Sequence, residues 1–482
     1  MEDLIRAAIA ATDDPTVVHA DVRVVAPDRF VHLAVRDGRA SALTDARADA
    51  LGVRVRTSRA WGFATTCDLR MAAVRDIARL AVRLAKAAGE HVRMPLRVTE
   101  DPAPVAGRYE TAMRKDPFAI PPEKTLELLV DAEKNLHATR AVKSGVATFQ
   151  AWEENKWYAT SEGASYTSRI VHVGAGLTAT AVRGSNVQRR SAPSSHGGDF
   201  SQAGFEFVEG LDLPGSATGI GREAAKLLDA PVCPTGPTTL VLGSDQLALQ
   251  VHESVGHAVE LDRIFGSEAG FAGTSWVDPE KIGVLRYGSE LMNVVADATE
   301  PGGLGTFGWD DEGVPAQRTP IVHRGVLVGT LSSKESAAQL GLRRSGGTAR
   351  ASGGDRAPIV RMTNINLEPG DCSLEELLEG VKEGVYLDTN RSWSIDDRRL
   401  NFQFGTEFGR KIVRGELGGL VRNPIYAGMT PAFWGSMDAV GDATTRHLWG
   451  LPNCGKGQPI QGARVSHGAP VARFRRVAVR GG

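Results

Sequence analysis

Apolar and polar residues alternate with a period of two in FVHLAVRDG at 30–38 and LGVRVRTS at 51–58, the pattern of strands buried on one face. In RMAAVRDIARLAVRLAKAAG, Met71, Val74, Ile77, Ala81, Val82, Leu84 and Ala85 recur mostly at three- and four-residue spacing, which predicts an amphipathic helix ending near Gly89. Pro121 and Pro122 open a second helix that buries Leu126, Leu129, Val130 and Leu136. From 144 to 184 the period returns to two. GVATFQAW, KWYATSEG, YTSRIVHVGAG and LTATAVRGS, separated by short turns, predict an antiparallel meander.

After a short helix near 222–229, the segment LLDAPVCPTGPTT gathers Pro231, Pro234, Gly236 and Pro237, which neither a helix nor a central strand tolerates. A domain boundary is expected there, dividing the chain into 1–230 and 231–482. Strand patterns dominate the second part: TTLVLGS at 238–244, IVHRGVLVGTL at 321–331, RRLNFQFGTEFGRKIV at 398–413 and VARFRRVAVRG at the end. Its clear helix, SLEELLEGVKEG, opens with a Ser373 and Glu376 capping box. GLRRSGGTARASGGDRAP at 341–358 has no periodicity and reads as a mobile surface loop carrying Arg343, Arg344, Arg350 and Arg356. The expected fold class is α+β, a mixed α/β amino-terminal domain followed by a mainly antiparallel β, barrel-like carboxy-terminal domain.

Composition narrows the function classes. Lys+Arg is 56 against Asp+Glu 57, so no basic field attracts phosphate backbones and direct nucleic-acid binding is disfavoured. No apolar run approaches the roughly 18 residues of a membrane span, and MEDLIRAAIAATDD is acidic where a leader would be basic. The expectation is a cytoplasmic protein without membrane attachment. The cysteines, Cys67, Cys233, Cys372 and Cys454, form no CxxC pair, which excludes a disulfide framework and leaves each available as a ligand.

The chemistry concentrates in VHESVGHAVELD at 251–262, where His252, Glu253 and His257 form an HExxxH pattern in a helical stretch. Imidazoles ligate zinc, and a carboxylate beside the first ligand takes a proton from metal-bound water. In an ideal helix, however, positions i and i+5 lie about 140° apart, so both rings reach one metal only if the turn is widened. A π-type bulge between Ser254 and His257, eased by Gly256, is predicted. The residues themselves leave the third ligand open among Glu260, Asp262, His447, His467 and a cysteine. GIGREA at 219–224 lacks a preceding strand and reads as a helix start, and the Asp310, Asp311, Glu312 run, followed by Gly313 and Pro315, reads as an exposed turn.

Together VHESVGHAVELD, WDDEGVPAQRTPIVHRGVLVGTL at 309–331, RMTN at 361–364 and NCGKGQP at 453–459 resemble the TldD/PmbA family, specifically its metal-bearing TldD-like branch. LGVRVRTSRAWGFATT and GIGREA extend the resemblance over nearly the whole chain. It implies a zinc peptidase with His252, His257 and Cys454 as ligands and Glu253 activating the metal-bound water. Addition of an extended substrate as a strand to an exposed edge, which confers little sequence selectivity, predicts unfolded peptides as substrates. Asp262 is expected to orient an imidazole, and Arg361, inside RMTN, to hold substrate. The resemblance also implies a dimer, of the chain with itself or with a metal-free PmbA/TldE-like paralogue. Two rival readings are an interaction protein of the gyrase-modulator type with a structural zinc, and a zinc amidohydrolase acting on small molecules.

Overall fold

A computed structural model describes residues 1–100, 104–271 and 273–482. Its amino-terminal half is built on one strongly extended sheet. The strands Trp61–Thr66, Arg39–Thr57, Val17–Arg36, Val142–Thr160, Ser165–Arg183 and Ala106–Glu110 lie side by side in that order, with Asn186–Ala192 and Asp199–Ser201 added along Ser165–Arg183. The sequence pattern divides 142–183 into four pieces, whereas the chain forms two continuous 19-residue strands paired from Val142 to Ala159. The polar stretch Glu153, Glu154 and Asn155 stays in the ladder because Arg169 on the facing strand meets Glu153 at 2.7 Å. Opposite charges across neighbouring strands replace the turn that polarity alone suggests.

Helix Met71–His91 covers one end of this sheet and buries Val74, Ala78, Ala81, Val82 and Ala85 against Val22, Val24, Leu51 and Val53. Helices Pro122–Leu136 and Leu213–Leu227 cover the other end through Leu129, Leu136, Ala217 and Ala224. GIGREA lies within the latter helix instead of starting it.

In the carboxy-terminal half, Glu383–Ile395, Gly236–Leu242, Ala472–Gly481, Pro424–Met429 and Asn401–Val413 pair in succession, and the last pairs back onto the first. This closes a five-stranded barrel, and Glu416–Arg422 extends it as an outer strand. Fold class and barrel therefore agree with the sequence pattern. Helix Ser244–Val251 follows the first barrel strand, and its residues from Asp245 onward are buried in the same core as Phe404, Tyr426, Trp434 and Phe474. Its polar side chains are satisfied internally: Gln246 donates to the Tyr426 hydroxyl at 2.9 Å, which donates to Gln250 at 3.0 Å. A buried polar row of this kind fixes the helix in rotation, because any slip leaves donors unpaired. Among the described residues, no helix is long and apolar enough to cross a membrane.

Two segments depart from the sequence pattern. Asp310, Asp311 and Glu312 do form a turn, but they are buried, at 2–4% exposure. Asp311 meets Lys156 at 2.7 Å and Glu312 meets Arg54 at 3.0 Å, so the run joins the two halves of the chain. The Gly-rich segment 341–358 is likewise packed: Ala349–Arg350 pairs with Ile359–Val360, and Arg350 donates to the carbonyls of Met362 and Arg464.

Candidate metal centre

The helix that enters the barrel core changes its winding where the motif begins. Residues His252–Gly256 form a π turn, in which the His257 N–H donates to the His252 carbonyl five residues back. A 3-10 turn, His257–Val259, follows. Adding one residue to the turn brings His252 and His257, with ring centroids 4.9 Å apart, to one side. The loosened backbone is held: the Tyr287 hydroxyl donates to the Ser254 carbonyl at 2.6 Å, and Trp434 donates to the Ser254 hydroxyl at 2.9 Å. Gly256 has ordinary helical angles, φ −51 and ψ −57, so its conformational freedom is unused. Its value is steric, since a Cβ there would lie 2.1 Å from Met362 Sδ.

Cys454 arrives from the hairpin His447–Lys456 and Gln461–Ala469, about two hundred residues downstream. One donor atom each from His252, His257 and Cys454 lies within 4.8 Å of the others, and all three residues are buried. Each ring is oriented by its far nitrogen. His467 Nδ1 faces the Ile365 carbonyl at 3.0 Å and must donate to it, so His467 Nε2 accepts from His252 Nδ1 at 2.7 Å. His257 Nδ1 donates to Glu260 at 3.1 Å, while His257 Nε2 lies 3.5 Å from Cys454 Sγ. Both Nε2 lone pairs are thereby left to face the shared space, the arrangement that outer partners impose on ligating histidines.

The electrostatics agree. Burial lowers the pKa of both His252 and His257, which keeps the rings neutral as ligands require. Burial works against the Cys454 thiolate, but the thiol lies below its usual range, and with His257 neutral the cation that favours the thiolate is the buried Arg361 guanidinium. Burial likewise opposes ionisation of Glu260, yet Lys456, His257 and Arg263 hold its carboxyl well below the usual carboxylate range. Two neutral imidazoles and a thiolate fit zinc, a borderline-soft ion bound by nitrogen and sulfur, and three protein donors are the count of a catalytic site.

The other expected residues have different places. Glu260, not Asp262, meets an imidazole; the Asp262 carboxylate receives the buried Lys456 ammonium at 2.7 Å. Arg361 is 1% exposed, and its terminal nitrogens donate to the carbonyls of Gln461 and Cys454. Both terminal nitrogens of the residue expected to hold substrate are thus engaged by the hairpin that carries Cys454, and its Nε meets no partner among the described residues. His447 pairs with Asp199 at 2.7 Å, outside the centre. Glu253, 7% exposed, accepts from Arg399 Nη1 at 2.8 Å. Sequence reading missed Arg399, Lys456 and His196. Burial, with His252 and Arg189 adding, lowers the His196 pKa to about 4. Its Nε2 meets no hydrogen-bond partner among the described residues, and its ring meets the half-exposed Trp393 edge-on at 5.8 Å.

Barrel and site define a class: an α+β chain with a buried two-histidine, one-cysteine cluster able to hold a metal at a helix that leaves its regular winding. Family models match in succession, the PmbA/TldA metallopeptidase domain 1 over residues 20–85, the central domain over 115–230 and the C-terminal domain over 235–481. A protein of Methanothermobacter thermautotrophicus named a metalloprotease is 30% identical over 466 residues, 96% of each chain. One of Saccharolobus solfataricus, named a zinc metalloprotease TldD homolog, is 27% identical over 250 residues, 51% of this chain and 52% of that one. Two solved structures share the fold. A putative modulator of a DNA gyrase from Thermotoga maritima has a TM-score of 0.77 at 17% identity, with 99% of each chain covered. TldE from Thermococcus kodakarensis has 0.73 at 18%, with 100% of each covered. The chain belongs to the PmbA/TldD metallopeptidase family.

Proposed function

We propose that the chain is a zinc-dependent peptidase of the metal-bearing, TldD-like branch, acting on unfolded or extended peptides. His252 Nε2, His257 Nε2 and Cys454 Sγ would hold the ion, and Glu253 would serve as general base. The observation that carries this reading is the convergence of those three donors within 4.8 Å, with the far nitrogens of both rings engaged elsewhere. A bound zinc supplies a Lewis acid that polarises the scissile carbonyl and makes water more acidic. Glu253 takes the proton of the attacking water and returns it to the departing amine, while Arg399 fixes the carboxylate in place. Backbone pairing of an extended peptide on a strand edge confers little sequence selectivity, which suits unfolded substrates. A second family chain, this one or a metal-free PmbA/TldE-like paralogue, is the proposed partner.

The test is cleavage of a fluorescently labelled unfolded casein, with the chain alone and with such a paralogue. Glu253→Gln is expected to keep its zinc and lose about 10²- to 10⁴-fold in rate. Unchanged cleavage by the variant would remove Glu253 from the reaction.

A further inference from the structure

Arg399 sits in the turn between the barrel strands Glu383–Ile395 and Asn401–Val413, with φ +61, a conformation that side chains other than glycine seldom take. The turn is over-determined. Asp396 accepts from the N–H groups of Leu400 and Asn401, the Arg399 N–H donates to the Asp396 carbonyl, and the Thr430 hydroxyl donates to the Arg399 carbonyl. Contacts of this kind fix the backbone from which the side chain starts. From this anchor the side chain, 16% exposed, reaches Glu253 through Nη1 at 2.8 Å.

The contact with Glu253 runs through one nitrogen, Nη1, which leaves the other donors of the guanidinium outside that pair. Arg399 Nε is buried and meets no acceptor among the described residues, as is true of the Nε of Arg23, Arg56, Arg361 and Arg422; of these arginines Arg399 is the one that holds Glu253. A buried, charged N–H without a partner is costly unless a ligand or water supplies one. The guanidinium is therefore held at Glu253 by Nη1 and keeps a donor unpaired among the described residues.

We propose that Arg399 is a catalytic residue: holding Glu253 with one terminal nitrogen, it offers its remaining donors, Nε among them, to the carbonyl oxygen of the bound peptide as that oxygen gains negative charge. This rests on reading His252, His257 and Cys454 as the metal centre. When the oxygen of water adds to the carbonyl carbon, the π electron pair moves to the carbonyl oxygen and the proton to Glu253. On collapse the pair returns, the C–N bond breaks and the amine takes the proton. Fixed donors aimed at the charge that develops contribute more to rate than contacts made equally with the substrate.

The test uses the full chain loaded with cobalt(II), whose visible spectrum reports ligands entering the metal. Two probes are titrated: an N-phosphoryl dipeptide, which carries tetrahedral anionic oxygens, and a short peptide thiol, which meets the metal through sulfur. Arg399→Gln is expected to weaken the phosphoryl probe about 10- to 100-fold and the thiol by less than about threefold, with Arg399→Lys between Gln and native and cobalt content unchanged in all. Equal losses on both probes, or no loss on the phosphoryl probe, would overturn the assignment. If neither probe moves the native spectrum although cobalt is bound, the open metal-centre reading fails, and this inference with it.

Discussion

Replacing Glu260 by glutamine perturbs the charge cluster behind the candidate centre while leaving its shape intact. Glu260 is wholly buried and meets His257 Nδ1 at 3.1 Å, Lys456 Nζ at 3.2 Å and Arg263 Nε at 3.4 Å. Glutamine can still accept from His257 but removes the negative charge facing two buried cations. Breaking a buried pair costs about 3–5 kcal/mol, and Asp262, 2.7 Å from Lys456, keeps the expected loss near the lower end, about 3 kcal/mol. Urea unfolding of the metal-free protein at pH 7 reads this loss directly.

The pH dependence gives the same substitution a second, independent signature. Because the folded-state pKa of Glu260 lies below its ordinary value of 4.5, its contribution is complete above that pH and is lost as the pH falls towards the folded value. The Glu260→Gln protein lacks that contribution throughout, so its stability should fall less steeply below pH 4.5 and approach that of the native chain in acid. Zinc affinity should fall about tenfold, the smaller end of what loss of an outer hydrogen-bond partner costs. A Gln variant within about 0.5 kcal/mol of native at pH 7, or acid curves that stay parallel, would refute the argument that this carboxylate stabilises the cluster.

Three further outcomes are expected. His467→Ala removes the acceptor of His252 Nδ1 and should weaken zinc about 10- to 100-fold in competition with a chromophoric chelator, without changing stoichiometry at saturation. Asp311→Asn takes the charge from Lys156 and Arg23 between the halves and should cost about 3–5 kcal/mol, read as a lowered thermal midpoint. Gly256→Ala places a Cβ against Met362 Sδ and should cost about 1–3 kcal/mol together with zinc affinity, and Met362→Ala in the same chain should restore the affinity if the clash is the cause.

The elements that depend on local pattern were legible in the sequence. Helix Met71–His91 ends within two residues of its expected terminus, and Ser373 and Glu376 form the capping box read from their spacing. The five-residue step from His252 to His257 is itself the signal for the π turn, because no regular helix puts those rings together. What local pattern cannot carry is the identity of distant partners. Lys456 and Arg399 reach the motif from hairpins 140 to 200 residues downstream, and nothing near them in sequence marks them. Asp310, Asp311 and Glu312 are buried for the same reason, since Arg54 and Lys156, which neutralise Asp311 and Glu312, lie more than 150 residues upstream. Asp262 and Glu260 are equally acidic in the sequence. Only the 3-10 turn after the π turn sets Glu260, three residues on, against His257.

The central claim is that His252, His257 and Cys454 hold one metal ion, and elemental analysis after zinc loading and desalting tests it most directly when native protein is compared with Cys454→Ala. About one zinc per native chain, with clear loss in the variant, is the predicted result. Equal zinc in both proteins would remove Cys454 from the site, and zinc in neither would contradict a metal centre formed by this chain alone.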